Sequence, residues 1–199
     1  EAREGRPVTQ KWVTVAGAVA APGTFQVPLG VSIAEMLKLA GDPVLEDYAV
    51  INGGPMMGKP VNDLNEPVTK TTKALLVLPQ TNPVVQNSLR PLAAIYRQAQ
   101  SICCQCQICS DLCPRNLLGY TIHPHQMILA AGYQGQVQST KITEAFLCSE
   151  CGACDLFACT MGLSPRRVNQ SLKTELTRMG VKNPYKGSSV IVHQWRNYR

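Results

Sequence analysis

Cys103-Cys104-Gln105-Cys106-Gln107-Ile108-Cys109-Ser110-Asp111-Leu112-Cys113-Pro114 is the stretch on which the reading of this chain turns. Cysteines at 103, 106, 109 and 113, with proline straight after the last, follow the C-x2-C-x2-C-x3-C-P run that binds cubane iron–sulfur clusters. Three cysteines spaced by three let one tight loop wrap three iron corners of a cubane. The fourth thiolate cannot come from the same loop without strain, and Pro114 pushes Cys113 towards an extended backbone that points it away. It is therefore expected to serve a different cluster. A second run, Cys148-x2-Cys151-x2-Cys154-x4-Cys159, repeats the pattern and permits a pseudo-two-fold exchange of fourth ligands. On that reading Cys103, Cys106, Cys109 and Cys159 hold cluster I, and Cys148, Cys151, Cys154 and Cys113 hold cluster II, both [4Fe-4S]. The second copy departs twice: four residues precede its last cysteine, and Thr160 stands where proline is expected. Cys104 fits neither spacing and reads as a small apolar filler. Structural zinc is the plain rival, but all-cysteine zinc sites use paired Cys-x2-Cys knuckles, and a third cysteine in each run would be surplus.

All nine cysteines lie between Cys103 and Cys159, so they serve one local structure and not a disulfide network across the chain. Thiols at this density predict a reducing compartment, and Glu1 to Lys11 is too polar for a secretory signal, so the expected location is cytoplasmic. The longest apolar stretch, Trp12 to Ala21, stops at Pro22-Gly23, about half of the roughly 20 residues a spanning helix needs. No transmembrane segment is expected. The chain starts at Glu1 and not Met, which suggests a piece of a longer protein. Its 199 residues suffice for one or two domains, and 45% hydrophobic against 16% charged residues excludes a disordered polar chain. The formal net charge of +6 would suit an acidic partner. Two oxidised clusters with their thiolates, at about −2 each, bring it to about +2 and remove the main support for nucleic-acid binding.

Working outward, the first 80 residues alternate β patterns with turn signals. Trp12 to Val15 and Thr24 to Val27 flank Pro22-Gly23 as a hairpin, and Ser32-Ile33-Ala34-Glu35 fits a capping box opening a short helix. Ile33, Met36, Leu37 and Ala40 share a face of that helix, and Gly41 stands at its left-handed C-terminal stop. Tyr48 to Ile51 and Ala74 to Leu78 read as strands, with Gly53-Gly54-Pro55-Met56-Met57-Gly58 an irregular loop. The predicted fold class is α+β: a module over 1–82 with Val13, Val15, Phe25, Leu37, Val50, Leu76 and Leu78 as core, then an α-helical module over 83–181 built around metal. The polar, proline-containing stretch 80–88 is the expected connection. Helices are expected through Leu92, Ile95, Tyr96 and Ala99, over Ile122 to Ala131, and over Pro165 to Met179. The tail 182–199, with Lys182, Tyr185, Lys186, Trp195, Arg196, Tyr198 and Arg199, reads as a loosely packed or partner-draped end.

Glu4-Gly5-Arg6-Pro7, Val13 to Gly17, Gly53 to Gly58 and Pro67 to Thr72 resemble the soluble-ligand-binding β-grasp (SLBB) domain of a family of flavoprotein electron-transfer subunits. That family includes the C subunit of the Rnf complex and the flavin-carrying subunit of respiratory complex I, and the cysteines resemble its dicluster ferredoxin. Within it, Cys113-Pro114-Arg115-Asn116, Ile122-His123-Pro124-His125 and Ala158-Cys159-Thr160-Met161-Gly162-Leu163-Ser164-Pro165-Arg166-Arg167 are most similar to the cobalamin reductases of propanediol-utilising bacterial microcompartments. The resemblance covers almost the whole chain. It implies a β-grasp module followed by a helical two-cluster module, an upstream NADH- and FMN-binding part, a corrinoid substrate, and a microcompartment location with an adenosyltransferase or shell protein as partner. No GxGxxG opens a helix after a strand here, and the Gly53 to Gly58 loop reads as a β-grasp turn. His123 and His125 read as surface or capping residues. Arg166 and Arg167 read as a solvated face on a helix begun by Ser164 and Pro165.

The expected activity is therefore a relay of single electrons from a flavin upstream to cobalt, with no catalytic nucleophile or acid–base pair in the chain. An Rnf-type subunit fragment and a non-redox interaction module with structural metal are the alternatives.

Overall fold

In the computed structural model, which describes Gly5 and residues 7–133 and 139–187, alternate residues of β1 (Gln10–Gly17) turn inward, burying Val13 and Val15. β2 (Gly23–Pro28) pairs antiparallel with it, from Gln10 opposite Pro28 to Val15 opposite Gly23, and Thr14 and Thr24 link hydroxyls across the hairpin at 2.9 Å. The chain divides by contact into two units, residues 1–89 and 90–199.

In the first unit, α1 (Ile33–Leu39) starts at Ser32, whose hydroxyl accepts from the Glu35 amide at 3.2 Å while the Glu35 carboxylate accepts from the Ser32 amide at 3.0 Å. Both halves of the capping box are made. Ile33, Met36, Leu37 and Ala40 are all buried, and the helix stops at Gly41 with φ +76°. β3 (Tyr48–Asn52), β4 (Lys59–Pro60) and β5 (Ala74–Pro79) complete a five-stranded sheet of order β2-β1-β5-β3-β4. β5 lies at its centre, parallel to β1 and antiparallel to β3. With α1 against it, this is an α+β arrangement.

Two details of the expected core differ. β5 buries Leu75 and Val77, while Leu76 and Leu78 sit half-buried on the other side; Phe25 is also half-buried, packed against the core. Five consecutive apolar residues carry no period-two phase, so the register is set by pairing with Val15 and Gly17 and not by the strand itself. The connection also contains a helix, α2 (Pro83–Leu89), begun by Asn82, whose side-chain oxygen accepts from the Val84 amide at 2.9 Å. It buries only Val85, too little apolar surface to read from its sequence. The Gly53 to Gly58 loop closes on itself: a Cβ at Gly58 would stand 2.3 Å from the Ile51 side chain, so only glycine fits.

The second unit is helical: α3 (Leu92–Ile102), α4 (Ile108–Asp111), α5 (Pro114–Leu117), α6 (Pro124–Gly132), α7 (Ser139–Ile142), a 3-10 turn at Thr143–Leu147, a π turn at Cys154–Ala158, and α8 (Pro165–Arg178). α6 packs against both α3 and α8. Ile95, Ala99, Ile128, Leu163 and Val168 form one small buried group, and Met127, Ala145 and Leu176 another. Of the tail, Tyr185 reaches Thr143 at 3.3 Å; Trp195, Arg196, Tyr198 and Arg199 lie outside the described residues, as do Glu4 and Arg6. Among the described residues no helix is long and apolar enough to cross a membrane.

Candidate metal centre

The two cysteine runs fold alike. Cys103 ends α3 and Cys148 ends the 3-10 turn, both on extended backbone. Left-handed residues then follow at matching places: Gln105 (φ +54°) and Gln107 (φ +67°) in the first run, Glu150 (φ +59°) and Gly152 (φ +81°) in the second. Non-glycine residues pay sterically for φ above zero, so such a repeated pair marks a loop bent for a purpose. The bends turn successive thiols towards one another. Cys113 (ψ 117°) and Cys159 (ψ 96°) are again extended, each leading away from its loop.

The extra residue before Cys159 has a structural outlet. The Cys159 amide donates to the Cys154 carbonyl at 3.0 Å, closing the π turn, whereas the Cys113 amide donates to Ser110 at 3.1 Å. One inserted residue is absorbed as a π bulge, leaving both last cysteines on extended backbone, and Thr160 needs no proline's help.

Electrostatics identifies which thiols face each other. Burial pushes the Cys109 thiol up to about 12, and Cys159, Cys106 and Cys103 push it further in the same direction. Burial likewise raises Cys159, with Cys103 adding to it. Cys154 is raised by burial, then by Asp155, Cys148, Cys109 and Cys113. Burial raises Cys148 too, and Cys113 contributes. Cys113, Cys148, Cys151 and Cys154 line one narrow recess together with Arg166 and Asn169. So Cys103, Cys106, Cys109 and Cys159 come together in one set, Cys113, Cys148, Cys151 and Cys154 in another. The sets adjoin where Cys109 and Cys154 pack with Ala158. Cys104 is exposed.

These donors fit iron–sulfur clusters. Buried thiols that repel each other's charge ionise only when a positive metal core lies among them. Among the described residues no three His, Cys, Asp or Glu side chains converge closely enough for a single metal ion. Sulfur acceptors already have donors in place: Gln105 Nε2 to Cys103 Sγ at 3.1 Å, the Leu163 amide to Cys159 Sγ at 3.3 Å, and the Glu150 amide to Cys148 Sγ at 3.4 Å.

Polar braces that the sequence did not reveal hold the runs. Asp155 accepts from the Arg166 amide at 2.8 Å and from Arg166 Nε at 3.3 Å, tying the π turn to the start of α8. Burial raises its carboxyl even so. Lys173 donates to the Cys148 carbonyl at 2.9 Å and to Glu150 at 2.7 Å. Arg90 donates to the Gly162 carbonyl at 2.7 Å, close after Cys159. Arg166 and Arg167 are thus partly buried and not a solvated face, and Ser164 precedes α8 in left-handed backbone without a side-chain cap bond. His125 is buried, its Nδ1 2.7 Å from the Ser110 hydroxyl beside Cys109, and not a surface residue. His123 pairs with Glu144 at 3.1 Å. The one advance signal for these braces was the 45-residue offset, which sets Gln105 opposite Glu150.

Comparison with known proteins agrees with this layout. A 4Fe-4S dicluster domain matches residues 102–164, and an SLBB domain residues 12–60. The chain is 41% identical over 97% of its length to Cobalamin reductase PduS of Salmonella typhimurium, covering 42% of that protein. It is 44% identical over 85% of its length to Cobalamin reductase PduS of Citrobacter freundii, covering 38% of it. With the C subunit of the ion-translocating oxidoreductase complex of Salmonella enteritidis it shares 37% identity over 58% of its length and 15% of that protein's. The chain thus spans less than half the length of the curated relatives it matches. It is thus similar over most of its length to parts of those two cobalamin reductases, and it carries an SLBB match followed by a 4Fe-4S dicluster match.

Proposed function

We propose that this chain is the iron–sulfur relay of a flavoprotein cobalamin reductase: Cys103, Cys106, Cys109 and Cys159 bind one [4Fe-4S] cluster, and Cys113, Cys148, Cys151 and Cys154 a second. The observation that carries this is the pair of backbone-matched loops whose thiols meet in two crossed sets adjoining at Cys109 and Cys154. When bound, the clusters supply one-electron redox chemistry, which matches cobalt, reduced singly from Co(III) through Co(II) to Co(I). The chain's own residues bind and orient. Left-handed Gln105, Gln107, Glu150 and Gly152 aim the thiols, Asp155 with Arg166 and Lys173 with Glu150 lock the second loop to α8, and the buried Cys109 and Cys154 keep water from the junction. NADH and FMN belong to a preceding part of the longer protein, the corrinoid is the acceptor, and the setting is a bacterial microcompartment, with an adenosyltransferase or shell protein as neighbour. The first module, 1–82, serves as the SLBB partner domain and 83–181 as the relay, followed by the basic and aromatic tail 182–199.

The test is anaerobic. Reconstituted chain reduced with dithionite is expected to give interacting [4Fe-4S]+ EPR signals and to pass electrons to cobalamin, but not to oxidise NADH alone. An EPR-silent, zinc-loaded chain sinks the redox reading. Intact clusters that fail to reduce cobalamin move the assignment to an Rnf-type subunit, the role its similarity to the ion-translocating complex favours.

A further inference from the structure

Asn169 is fully buried, yet among the described residues neither its side-chain Nδ2 nor its Oδ1 has a hydrogen-bond partner. A buried amide with nothing to bond loses its water without replacement, so such groups are rare and call for a missing partner. The place of this one is specific: it lines the same recess as Cys113, Cys148, Cys151 and Cys154.

The helix explains why the amide is there. Arg166, Asn169 and Lys173 follow at spacings of three and four along α8 and so share a face. Arg166 is engaged by Asp155, and Lys173 by Glu150 and the Cys148 carbonyl. Both cations on this face are thus matched to acceptors in the second cysteine run, and the amide between them keeps its donor unspent. Sulfide and thiolate sulfurs accept hydrogen bonds and have none to give, so of the two amide atoms only Nδ2 suits them.

We infer that Asn169 is a positioning residue for the second cluster, donating through Nδ2 to its sulfurs and raising its reduction potential. This rests on the ligand assignment proposed above. A donor to sulfur stabilises the reduced, more negative state over the oxidised one, and hydrogen bonding to the sulfurs is one of the ways a protein sets cluster potential. The first set meets a different donor, Gln105 on Cys103, so a change at 169 is expected to move one cluster and spare the other.

The experiment is an EPR-monitored redox titration of the full chain, reconstituted anaerobically, as wild type, Asn169→Leu and Asn169→Asp, with iron counted in each. Leucine keeps the volume and removes the donor; aspartate keeps the shape and swaps the donor for a negative acceptor. Asn169→Leu is expected to hold its iron and lower the midpoint of one cluster by about 59 mV, a tenfold change in the ratio of reduced to oxidised for a one-electron couple. Asn169→Asp is expected to lower it further. Equal midpoints in all three proteins with full iron make Asn169 a plain wall residue and overturn the inference. Should the variants lose iron, the wild type decides: with 15N-labelled asparagine, the reduced second cluster is expected to show hyperfine coupling to a side-chain amide nitrogen that Asn169→Gln alters. Absence of that coupling beside two intact clusters overturns this inference alone. A wild type without cluster signals overturns both it and the relay.

Discussion

Among the described residues, twelve buried apolar side chains of residues 1–89, from Val13 to Val77, form one continuous cluster between the sheet and α1, whereas the buried clusters of residues 90–199 are separate groups of five, three and three. One of these groups is made of Cys109, Cys154 and Ala158, so two of its three members are cysteines. The first unit can fold on burial of apolar surface, at roughly 25 cal/mol per Å². The second gathers buried thiols among small apolar groups, so its fold is expected to depend on the metal that joins them. The largest expected effect follows. Stripping iron anaerobically should abolish hydrogen-exchange protection over residues 90–178 and leave 10–79 protected. Equal loss in both units would break the comparison.

Within the second unit, the crossed sets make a sharper demand. Cys109 and Cys113 are four residues apart, yet Cys109 faces Cys103, Cys106 and Cys159, and Cys113 faces Cys148 and Cys154. Cys109→Ser and Cys113→Ser should each lose about half of the iron, because each removes one ligand of one cluster of two. The surviving EPR signals should differ between them. Identical residual spectra would show that the sets are not crossed.

What was legible in the sequence divides along the same line. The capping box at Ser32 and Glu35 and the hairpin about Pro22-Gly23 are local patterns whose chemistry is complete within a few residues, and both are found as read. The side of β5 that faces the core was not legible, because Ala74 to Leu78 is apolar throughout and its phase comes from β1. In the second unit the cysteine spacing stood out. Its supports did not: Gln105, Gln107 and Glu150 are ordinary polar residues whose left-handed backbone is imposed by the loop, and nothing in the sequence marks Asn169 as buried. The π turn was visible only as an irregular spacing before Cys159.

A core substitution tests whether the units are independent. Leu75→Ala should destabilise the first unit by about 2–5 kcal/mol, as full burial in a close-packed core demands, with iron content unchanged. Leu76→Ala, at a half-buried position, should cost roughly half as much or less. Chemical denaturation followed by far-UV circular dichroism reads both. Iron loss in Leu75→Ala would mean that the cluster unit depends on the β unit for its fold.

The smallest effect lies at the capping box, and it separates local from tertiary stability within the β unit. Ser32→Ala removes the acceptor of the Glu35 amide and should cost about 1 kcal/mol. Glu35 adds a pH signature. Its hydrogen bonds from the Ser32 amide and hydroxyl, the amide the stronger influence, hold its carboxyl below the usual carboxylate range. A group whose folded pKa is depressed contributes stability that is present above its unfolded pKa and is lost as pH falls through the folded one. Wild type should therefore lose this contribution on acidification below the ordinary glutamate range, near 4.3. In Glu35→Gln the same pH step should cost less, while Ser32→Ala, lacking the hydroxyl, should show an intermediate slope. Parallel stability–pH curves for all three proteins would mean that the cap is held by the packing of Ile33, Met36 and Leu37 and not by its own hydrogen bonds.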